Sequence, residues 1–158
     1  MMVAGHRVAL RGMTPALAEQ VVQRARAMDW EGDYPAEGDI VAAQTYLKQC
    51  ADGPDPQPFG PYQIVRTLDA KIVGGAGFHG PPENGVVEIG YGVVPSVRGQ
   101  GFATEAARRL LDIARGAGAR TVIAQTETTN PASMRVLEHI GMGLTGESGN
   151  SRIYSIDL

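Results

Sequence analysis

The stretch that decides the fold is Val93-Val94-Pro95-Ser96-Val97-Arg98-Gly99-Gln100-Gly101-Phe102-Ala103-Thr104-Glu105. Apolar side chains alternate over 86–94 before it, which predicts a β-strand. Apolar residues then recur at helical spacing over 103–114 and predict an amphipathic helix. Gly99 and Gly101 remove side chains from the turn between them, so the first N–H groups of the helix can face an anion. Arg98 adds a positive charge beside them.

The order of residues in this turn argues against two common phosphate-binding loops. A dinucleotide fingerprint has Gly or Ala three residues after its second glycine, and Thr104 stands there. The nucleotidase loop needs Gly-Lys-Ser/Thr, which the turn lacks. What remains, Arg98-x-x-Gly101-x-Ala103, resembles the Arg/Gln-x-x-Gly-x-Gly/Ala signature of the Gcn5-related N-acetyltransferase (GNAT) superfamily.

Two further blocks carry the same resemblance. One is Glu88-Ile89-Gly90-Tyr91-Gly92-Val93, and the other runs from Asn130 to Gly141-Met142, where the family has a helix from Asn-x-x-Ser/Ala to Gly-Phe. The chain is most similar to the branch containing the ribosomal-protein serine and alanine N-terminal acetyltransferases. This resemblance implies direct transfer of an acetyl group from acetyl-CoA to a primary amine, of a small metabolite or a peptide N-terminus, in a ternary complex.

The resemblance also assigns the acetyl-CoA contacts. A main-chain N–H near Val93 would bind the thioester carbonyl, and Asn130 would contact the pantetheine arm, although an N-cap role already explains that asparagine. The implied binding residues are Val93, Val94, Arg98, Gly99, Gln100, Gly101, Phe102, Ala103, Thr104, Asn130 and Ser133.

Acetyl transfer needs a base for the amine and a proton for the departing thiolate. Glu88 is the candidate base, acting directly or through water, because its strand face is otherwise glycine; the alternative is a charged residue on a solvated face. Many relatives supply the proton from a Tyr or a Glu at two positions that here hold Leu137 and Gln125. The resemblance suggests Ser133 as the substitute donor, and further candidates are Tyr91 and Tyr154.

Two other features bear on the acceptor. Residues 29–39 contain five acidic side chains and no basic one, which is typical of a solvated loop but also fits a mouth that attracts a cationic amine. His79 ends a glycine-rich strand and could face the acceptor as a catalytic residue, but a lone histidine there is more often structural, and the sequence names no partner for it.

The predicted order of elements is β-α-α-β-β-β-α-β-α-β with a last strand, a mixed α/β fold of the α+β type. The GNAT resemblance implies a central, mostly antiparallel mixed sheet of six to seven strands flanked by about four helices. The helix after the first strand, 6–13, is expected over 15–28, and Asp39 is expected to cap the next. The last strand, 153–156, is expected at an edge, where it could pair with a second subunit to form a homodimer.

Composition narrows the class of protein. The 158 residues, 43% hydrophobic, predict one N-acetyltransferase domain over 1–158, and a formal net charge of −3 argues against nucleic-acid binding. We expect no membrane association, no signal peptide and no metal site, because the chain lacks the corresponding runs and spacings. Cys50 has no second cysteine to pair with, which fits a reducing compartment, and we expect a cytoplasmic protein.

Two alternatives to the acetyltransferase stay open at this point. Gln125 and Leu137 also fit a catalytically silent acyl-CoA-binding sensor or interaction module on the same fold. A dinucleotide-dependent enzyme would share the strand, glycine turn and helix, but Thr104 and the short chain count against it.

Overall fold

The computed structural model describes residues 2–4 by their backbone and residues 7–158 in full. His6, with which the first predicted strand begins, lies outside these residues. The strands are β1 Met2–Ala4, β2 Val8–Gly12, β3 Pro61–Arg66, β4 Lys71–Phe78, β5 Val86–Val93, β6 Thr121–Glu127, β7 Gly143–Ser148 and β8 Ser151–Asp157. The α-helices are α1 Pro15–Val22, α2 Glu37–Asp52, α3 Phe102–Gly116 and α4 Pro131–His139, and a 3-10 turn covers Pro95–Val97.

The strands form one sheet in the order β1-β2-β3-β4-β5-β6-β8-β7. Strands β5 and β6 are parallel, and the other neighbouring strands of the described sheet are antiparallel. This confirms the predicted mixed, mostly antiparallel sheet with four helices. The short edge strands β1 and β7 raise the number of strands to eight, above the expected six to seven.

The side chains of β5 point alternately to the two faces of the sheet, which pack against different helices. Val87 and Ile89 are buried on the face against which α3 packs. The side chain of Glu88 therefore belongs to the opposite face, toward α2. Helix α3 contributes a buried apolar stripe to the core, made of Phe102, Ala106, Ala107, Leu110, Leu111, Ile113 and Ala114.

Helix α1 is shorter than the predicted helix over 15–28. It starts as expected, with the Thr14 hydroxyl accepting a hydrogen bond from the Leu17 N–H, but it ends at Val22. Arg24 and Arg26 then adopt positive φ angles of 52° and 50°, which turn the chain away. The helix buries Ala18 and Val21. The residues after the end of α1 that were predicted to continue its apolar face do not pack into the core, and Met28 is 98% exposed.

Two further local expectations were wrong. Strand β8 is not an edge strand, because it pairs with β6 on one side and β7 on the other, and so it cannot offer the free edge expected to form a homodimer. Asp39 is not the N-cap of α2. Ala36 holds that position, and Asp39 reaches back from three residues into the helix to accept the Ala36 N–H at 2.9 Å.

Candidate functional site

Two cavities meet at β5. The first, here called the sheet cavity, has a volume of about 330 Å³ and lies between strands β4 and β5 and the start of α2. The second, here called the gap cavity, has a volume of about 600 Å³ and lies between β5, β6 and α4. Both are lined by Gly90 and Tyr91. Molecules bound in the two cavities would therefore touch the same short segment of β5.

The gap cavity exists because β5 and β6 separate. Their parallel pairing ends at Ile89 and Ala124, although both strands continue. On the β4 side, the Val94 N–H donates to the Val73 carbonyl at 2.9 Å. Since hydrogen-bonded and non-hydrogen-bonded pairs alternate in an antiparallel ladder, the main-chain N–H groups of Tyr91 and Val93 point away from β4. They face the space that β6 has left, where they can donate to a ligand.

Glycine forms the floor of the sheet cavity. Gly75 pairs with Gly92 and Gly77 with Gly90 across β4 and β5, so four positions on one face carry no side chain. A Cβ atom at Gly75 would lie 2.3 Å from the Asp39 Oδ1 atom, and one at Gly77 would lie 2.8 Å from the Pro61 Cα atom. The glycines thus allow close approach of neighbouring groups and leave a low surface on which a ligand can lie.

The glycine turn has the form of an anion cradle. Gly99 and Gly101 have positive φ angles of 79° and 81°, and Gly101 is the N-cap of α3 without any side-chain cap. The first N–H groups of this 15-residue helix therefore lack a capping side chain, and the helix dipole favours negative charge there. Gln100 is exposed, Phe102 is buried, and Ala103 and Thr104 form the first turn of α3.

Arg7 contacts this turn directly although it is far from it in the sequence, and the sequence did not predict this contact. Its guanidinium donates to the Gln100 carbonyl at 2.6 Å and lies 5.1 Å from the centre of the Phe102 ring. Glu105 accepts the main-chain N–H groups of Arg7 and Val8 at 3.1 and 2.9 Å. The signal could not be read from the sequence, because Arg7 and the turn are more than ninety residues apart.

The predicted contact residues before the turn lie beside the cavities. Val93 lines the sheet cavity, and Val94 is fully buried. The Arg98 Nε–H group points back to the Val93 carbonyl at 3.4 Å, and Arg98 also lines the sheet cavity. Its charge therefore lies near both the turn and the mouth of the sheet cavity.

Helix α4 presents two predicted residues to the gap cavity. The Asn130 side chain caps the helix by accepting the Ser133 N–H at 3.2 Å, and both residues line the cavity. The Tyr91 hydroxyl lies 3.1 Å from the Ser133 Oγ atom. Burial raises the pKa of Tyr91, and the hydrogen bond to Ser133 opposes the shift only in part. Tyr91 therefore stays protonated at neutral pH.

The other candidate proton donors are differently placed. Gln125 and Leu137 line the gap cavity. Tyr154 is buried opposite Ala124 in the sheet and lines neither the sheet cavity nor the gap cavity. Of the tyrosines suggested by the sequence, Tyr91 is the one beside Ser133.

Glu88, the predicted base, lies next to His79. The Glu88 Oε2 atom is 3.1 Å from the His79 Nδ1 atom, and the His79 N–H donates to the Glu88 carbonyl at 2.9 Å. His79 lines the sheet cavity, whereas Glu88 lines neither the sheet cavity nor the gap cavity. The structure thus supplies the partner for His79 that the sequence could not name.

Most of the acidic stretch at 29–39 is engaged elsewhere. Its ion pairs are Asp29 with Arg11 at 3.7 Å, Glu31 with Arg66 at 2.7 Å and Glu37 with Arg24 at 2.6 Å. Asp33 accepts the Ser96 N–H and hydroxyl at 2.9 and 2.7 Å. Slight desolvation opposes ionisation of Asp33, which is exposed, yet these hydrogen bonds lower its pKa. These four acids hold the loop to the body of the protein.

Asp39 is the acid of this stretch that lines the sheet cavity. Burial raises its pKa to about 6, and the hydrogen bond from the Ala36 N–H acts in the opposite direction. Tyr34 also lines the cavity, and its hydroxyl accepts a hydrogen bond from Gln63 at 3.1 Å. A partly buried carboxylate in a cavity wall can attract a positive charge.

Within residues 2–4 and 7–158, no group of three or more His, Cys, Asp or Glu side chains could hold a metal ion. Of the helices in the described part of the chain, none has the length and apolar character needed to span a membrane.

Comparison with known proteins gives consistent matches. The acetyltransferase (GNAT) domain model matches residues 7–143. An uncharacterized N-acetyltransferase, YjdG of Bacillus subtilis (strain 168), is 32% identical over 139 residues, 84% of this chain and 82% of the relative. The ribosomal-protein-S5-alanine acetyltransferase from Vibrio fischeri superposes with a TM-score of 0.73 at 15% identity, covering 99% of this chain and 96% of that one.

A further solved structure contains a bound ligand. The ribosomal L7/L12 alpha-N-protein acetyltransferase RimL in complex with coenzyme A superposes with a TM-score of 0.69 at 19% identity, over 100% of this chain and 98% of that one. At these identities the solved structures show the shared fold. The family match spans most of the sequence, including the glycine turn, and so this chain belongs to the GNAT acetyltransferase family.

Proposed function

We propose that this protein transfers the acetyl group of acetyl-CoA to a primary amine by direct attack in a ternary complex. The observation that carries the proposal is the meeting of two cavities at Gly90 and Tyr91, beside main-chain N–H groups that β6 leaves free. One cavity can hold a thioester and the other an amine. Holding both reactants at one place supplies a large part of the barrier reduction, up to roughly 7 to 11 kcal/mol in ideal cases.

On this proposal acetyl-CoA occupies the turn and the gap cavity. The residues that fit it are those expected from the resemblance: the turn 98–104 for the pyrophosphate, Asn130 and Ser133 for the pantetheine arm, and Val93 and Val94 beside the acetyl group. The N–H groups of Tyr91 and Val93 can stabilise the negative charge that develops on the thioester oxygen. The glycines of the turn keep the backbone accessible to a phosphate.

The sheet cavity would hold the acceptor, and Asp39 supports a cationic one. Its carboxylate can bind a positive group of the acceptor, while the other acids of the stretch are already paired. A volume of about 330 Å³ is near the lower end for ligand pockets. This size fits a small amine or the first residue of a peptide N-terminus.

Two proton transfers complete the reaction. The pair formed by Glu88 and His79, of which His79 lines the sheet cavity, can take the proton that the amine must lose. On the other side of β5, Ser133 and the Tyr91 hydroxyl can supply a proton to the CoA thiolate as the carbon–sulfur bond breaks. A neutral tyrosine is suited to this role because it still carries its proton at neutral pH.

The proposal is tested by measuring CoA thiol release from acetyl-CoA with a panel of monoamines, diamines and N-terminal peptides, beside a calorimetric titration of acetyl-CoA. We expect binding of acetyl-CoA and turnover with at least one class of cationic amine. Binding of acetyl-CoA without turnover on any amine would instead support the silent acyl-CoA-binding module suggested by Gln125 and Leu137. Failure to bind acetyl-CoA would contradict both functions.

A further inference from the structure

His79 and Glu88 form a pair that is fixed by the backbone as well as by the side chains. His79 follows the last residue of β4 and lies directly opposite Glu88 on β5, as the 2.9 Å hydrogen bond between its N–H and the Glu88 carbonyl shows. The side chains therefore lie on the same face of the sheet. Their contact joins the His79 Nδ1 atom to the Glu88 Oε2 atom at 3.1 Å.

The second ring nitrogen of His79 lies at the point where the cavities meet. A Cβ atom at Gly90 would be 3.0 Å from the His79 Nε2 atom, so the imidazole stands over Gly90. Gly90 lines both the sheet cavity and the gap cavity. Any side chain at position 90 would push the imidazole away from this point.

Exposure separates the roles of the two residues. The His79 side chain is 59% exposed and lines the sheet cavity, so it can reach a bound amine and pass a proton on to solvent. The Glu88 side chain is 26% exposed and lines neither cavity. A carboxylate that accepts the Nδ1–H of a histidine fixes the tautomer with a free lone pair on Nε2.

We infer that His79 is the general base of the transfer and that Glu88 positions it, an assignment that rests on the proposed acetyltransferase function. The His79 Nε2 atom takes one proton from the ammonium group of the acceptor, and the resulting amine attacks the thioester carbonyl carbon. When the carbon–sulfur bond breaks, the CoA thiolate takes up one proton and the nitrogen releases a second one, so these two transfers cancel in the overall reaction. The third remains on the amide nitrogen, and the proton held by His79 leaves to solvent.

Other titratable and charged groups face the same cavity and must be separated from His79 in any test. They are Tyr91 on β5, Tyr62 on β3, Tyr34 and Asp39 around the start of α2, and Arg98 after the 3-10 turn, and Glu88 adjoins His79 itself. Asp39 is the competitor, because a carboxyl with a pKa of about 6 can also accept a proton. It stands over Gly75, whereas the His79 imidazole stands over Gly90, whose partner Gly77 lies two residues, or roughly 7 Å, further along β4.

The test compares His79→Gln, Glu88→Gln and the double variant, with His139→Gln at the end of α4 as the matched control. We expect His79→Gln to lower kcat about 100-fold or more and to remove the acidic limb of the kcat profile, while the acetyl-CoA affinity stays unchanged. Glu88→Gln should cost less, and the double variant should be no slower than His79→Gln, because the two residues act as a unit. The His139 variant should behave as the unmodified protein.

Three results would overturn the inference without touching the proposed function. They are turnover by His79→Gln with an unchanged pH profile, a larger loss in Glu88→Gln than in His79→Gln, or loss of the acidic limb in Asp39→Asn alone. An unmodified protein that turns over no amine would instead count against the function itself.

A measurement on the free protein is independent of turnover. Nitrogen chemical shifts of the neutral His79 imidazole should show the tautomer protonated on Nδ1, and Glu88→Ala, which removes the acceptor, should abolish this preference. The opposite tautomer in the unmodified protein would contradict the assignment of Glu88 as the positioning residue.

Discussion

Asp39 links stability to acceptor binding at a single residue. Its pKa is raised by burial from 3.8 to about 6, so the folded protein favours the protonated carboxyl more than the unfolded chain does. The stabilising contribution of the protonated form is complete below about pH 4 and is lost as the pH rises through 6. At neutral pH the buried charge therefore lowers the free energy of unfolding.

Replacement of the Asp39 carboxylate should consequently stabilise the fold while weakening acceptor binding. We expect Asp39→Asn to raise the free energy of unfolding by about 1 to 3 kcal/mol above pH 7, and to leave it unchanged near pH 3, in denaturant titrations at several pH values. The amide oxygen can still accept the Ala36 N–H. An unchanged pH dependence of stability would show that the carboxyl is not buried as described.

The same variant tests the acceptor class. Asp39→Asn should raise the Michaelis constant for diamines and should remove any advantage that they hold over monoamines of equal length. Glu37→Gln is the matched control, because Glu37 belongs to the same stretch but is engaged with Arg24 at the surface. Equal effects of the two variants would mean that the acidic stretch attracts the acceptor through its summed charge. Asp39 would then not be a specific binding group.

Tyr91 and Ser133 carry the third prediction. Tyr91→Phe and Ser133→Ala should each lower kcat by about 10-fold to 100-fold, because a proton donor acts as the thiolate leaves, and Tyr91→Phe should do so with little change in acetyl-CoA affinity. Tyr154→Phe is the control, since Tyr154 is buried in the sheet and lines neither cavity. A larger loss in the Tyr154 variant, measured by steady-state kinetics, would assign the donor differently.

At the scale of elements, the turn that opens α3 depends on a left-handed residue. Gly101→Val would place a β-branched side chain at a φ of 81°, with its Cβ atom 2.8 Å from the Arg7 guanidinium. We expect at least a 10-fold loss of acetyl-CoA affinity by calorimetry, because the cradle and Arg7 move together. Gly116→Ala, at the other end of the same helix and free of contacts, should keep the affinity.

The paired strands β4 and β5 allow a similar comparison. A Cβ atom at Gly92 meets nothing within 4 Å, so Gly92→Val should fold and should raise the Michaelis constant of the acceptor by filling the sheet cavity. A Cβ atom at Gly77 would meet the backbone of Pro61 and Gly60, and Gly77→Ala should cost roughly 1 to 3 kcal/mol of stability. Thermal unfolding and initial rates distinguish the two effects, and normal acceptor binding by Gly92→Val would contradict the location of the acceptor.

For the whole molecule, the features that the sequence predicted well are those set by local rules. Thr14 and Asn130 cap their helices as expected, since a capping side chain acts within three residues. The strand, glycine turn and helix at 86–116 could be read from spacing and from glycine chemistry alone. The same kind of pattern along the chain predicted the order of the elements, and the GNAT resemblance predicted a mostly antiparallel mixed sheet.

The features that the sequence did not predict depend on contacts between distant residues. The contact of Arg7 with Gln100 needs the sheet to bring the two segments together. The position of β8 between two strands likewise depends on β7, whose largely exposed residues gave a weak strand signal. Glu88 and His79 were each singled out, but their pairing required the register of β4 and β5.

The acidic stretch shows the same limit in electrostatic terms. Its charge favours a cationic partner, but the partners of Asp29, Glu31 and Glu37 lie on other elements. Pairing with those basic side chains offsets the charge of these three acids. Of the five acids, Asp39 alone lines the sheet cavity. The amino-acid composition of the stretch does not show which of its acids becomes buried there.

The central claim, direct transfer between two cavities that meet at Gly90 and Tyr91, is tested most directly by the initial rate of CoA release over a matrix of acetyl-CoA and acceptor concentrations. The account predicts reciprocal plots that intersect, because both reactants must be bound before the acetyl group moves, and an intact-protein mass that acetyl-CoA alone leaves unchanged. Parallel plots together with an acetylated protein would contradict it, since they would mean that the acetyl group passes through a covalent enzyme intermediate.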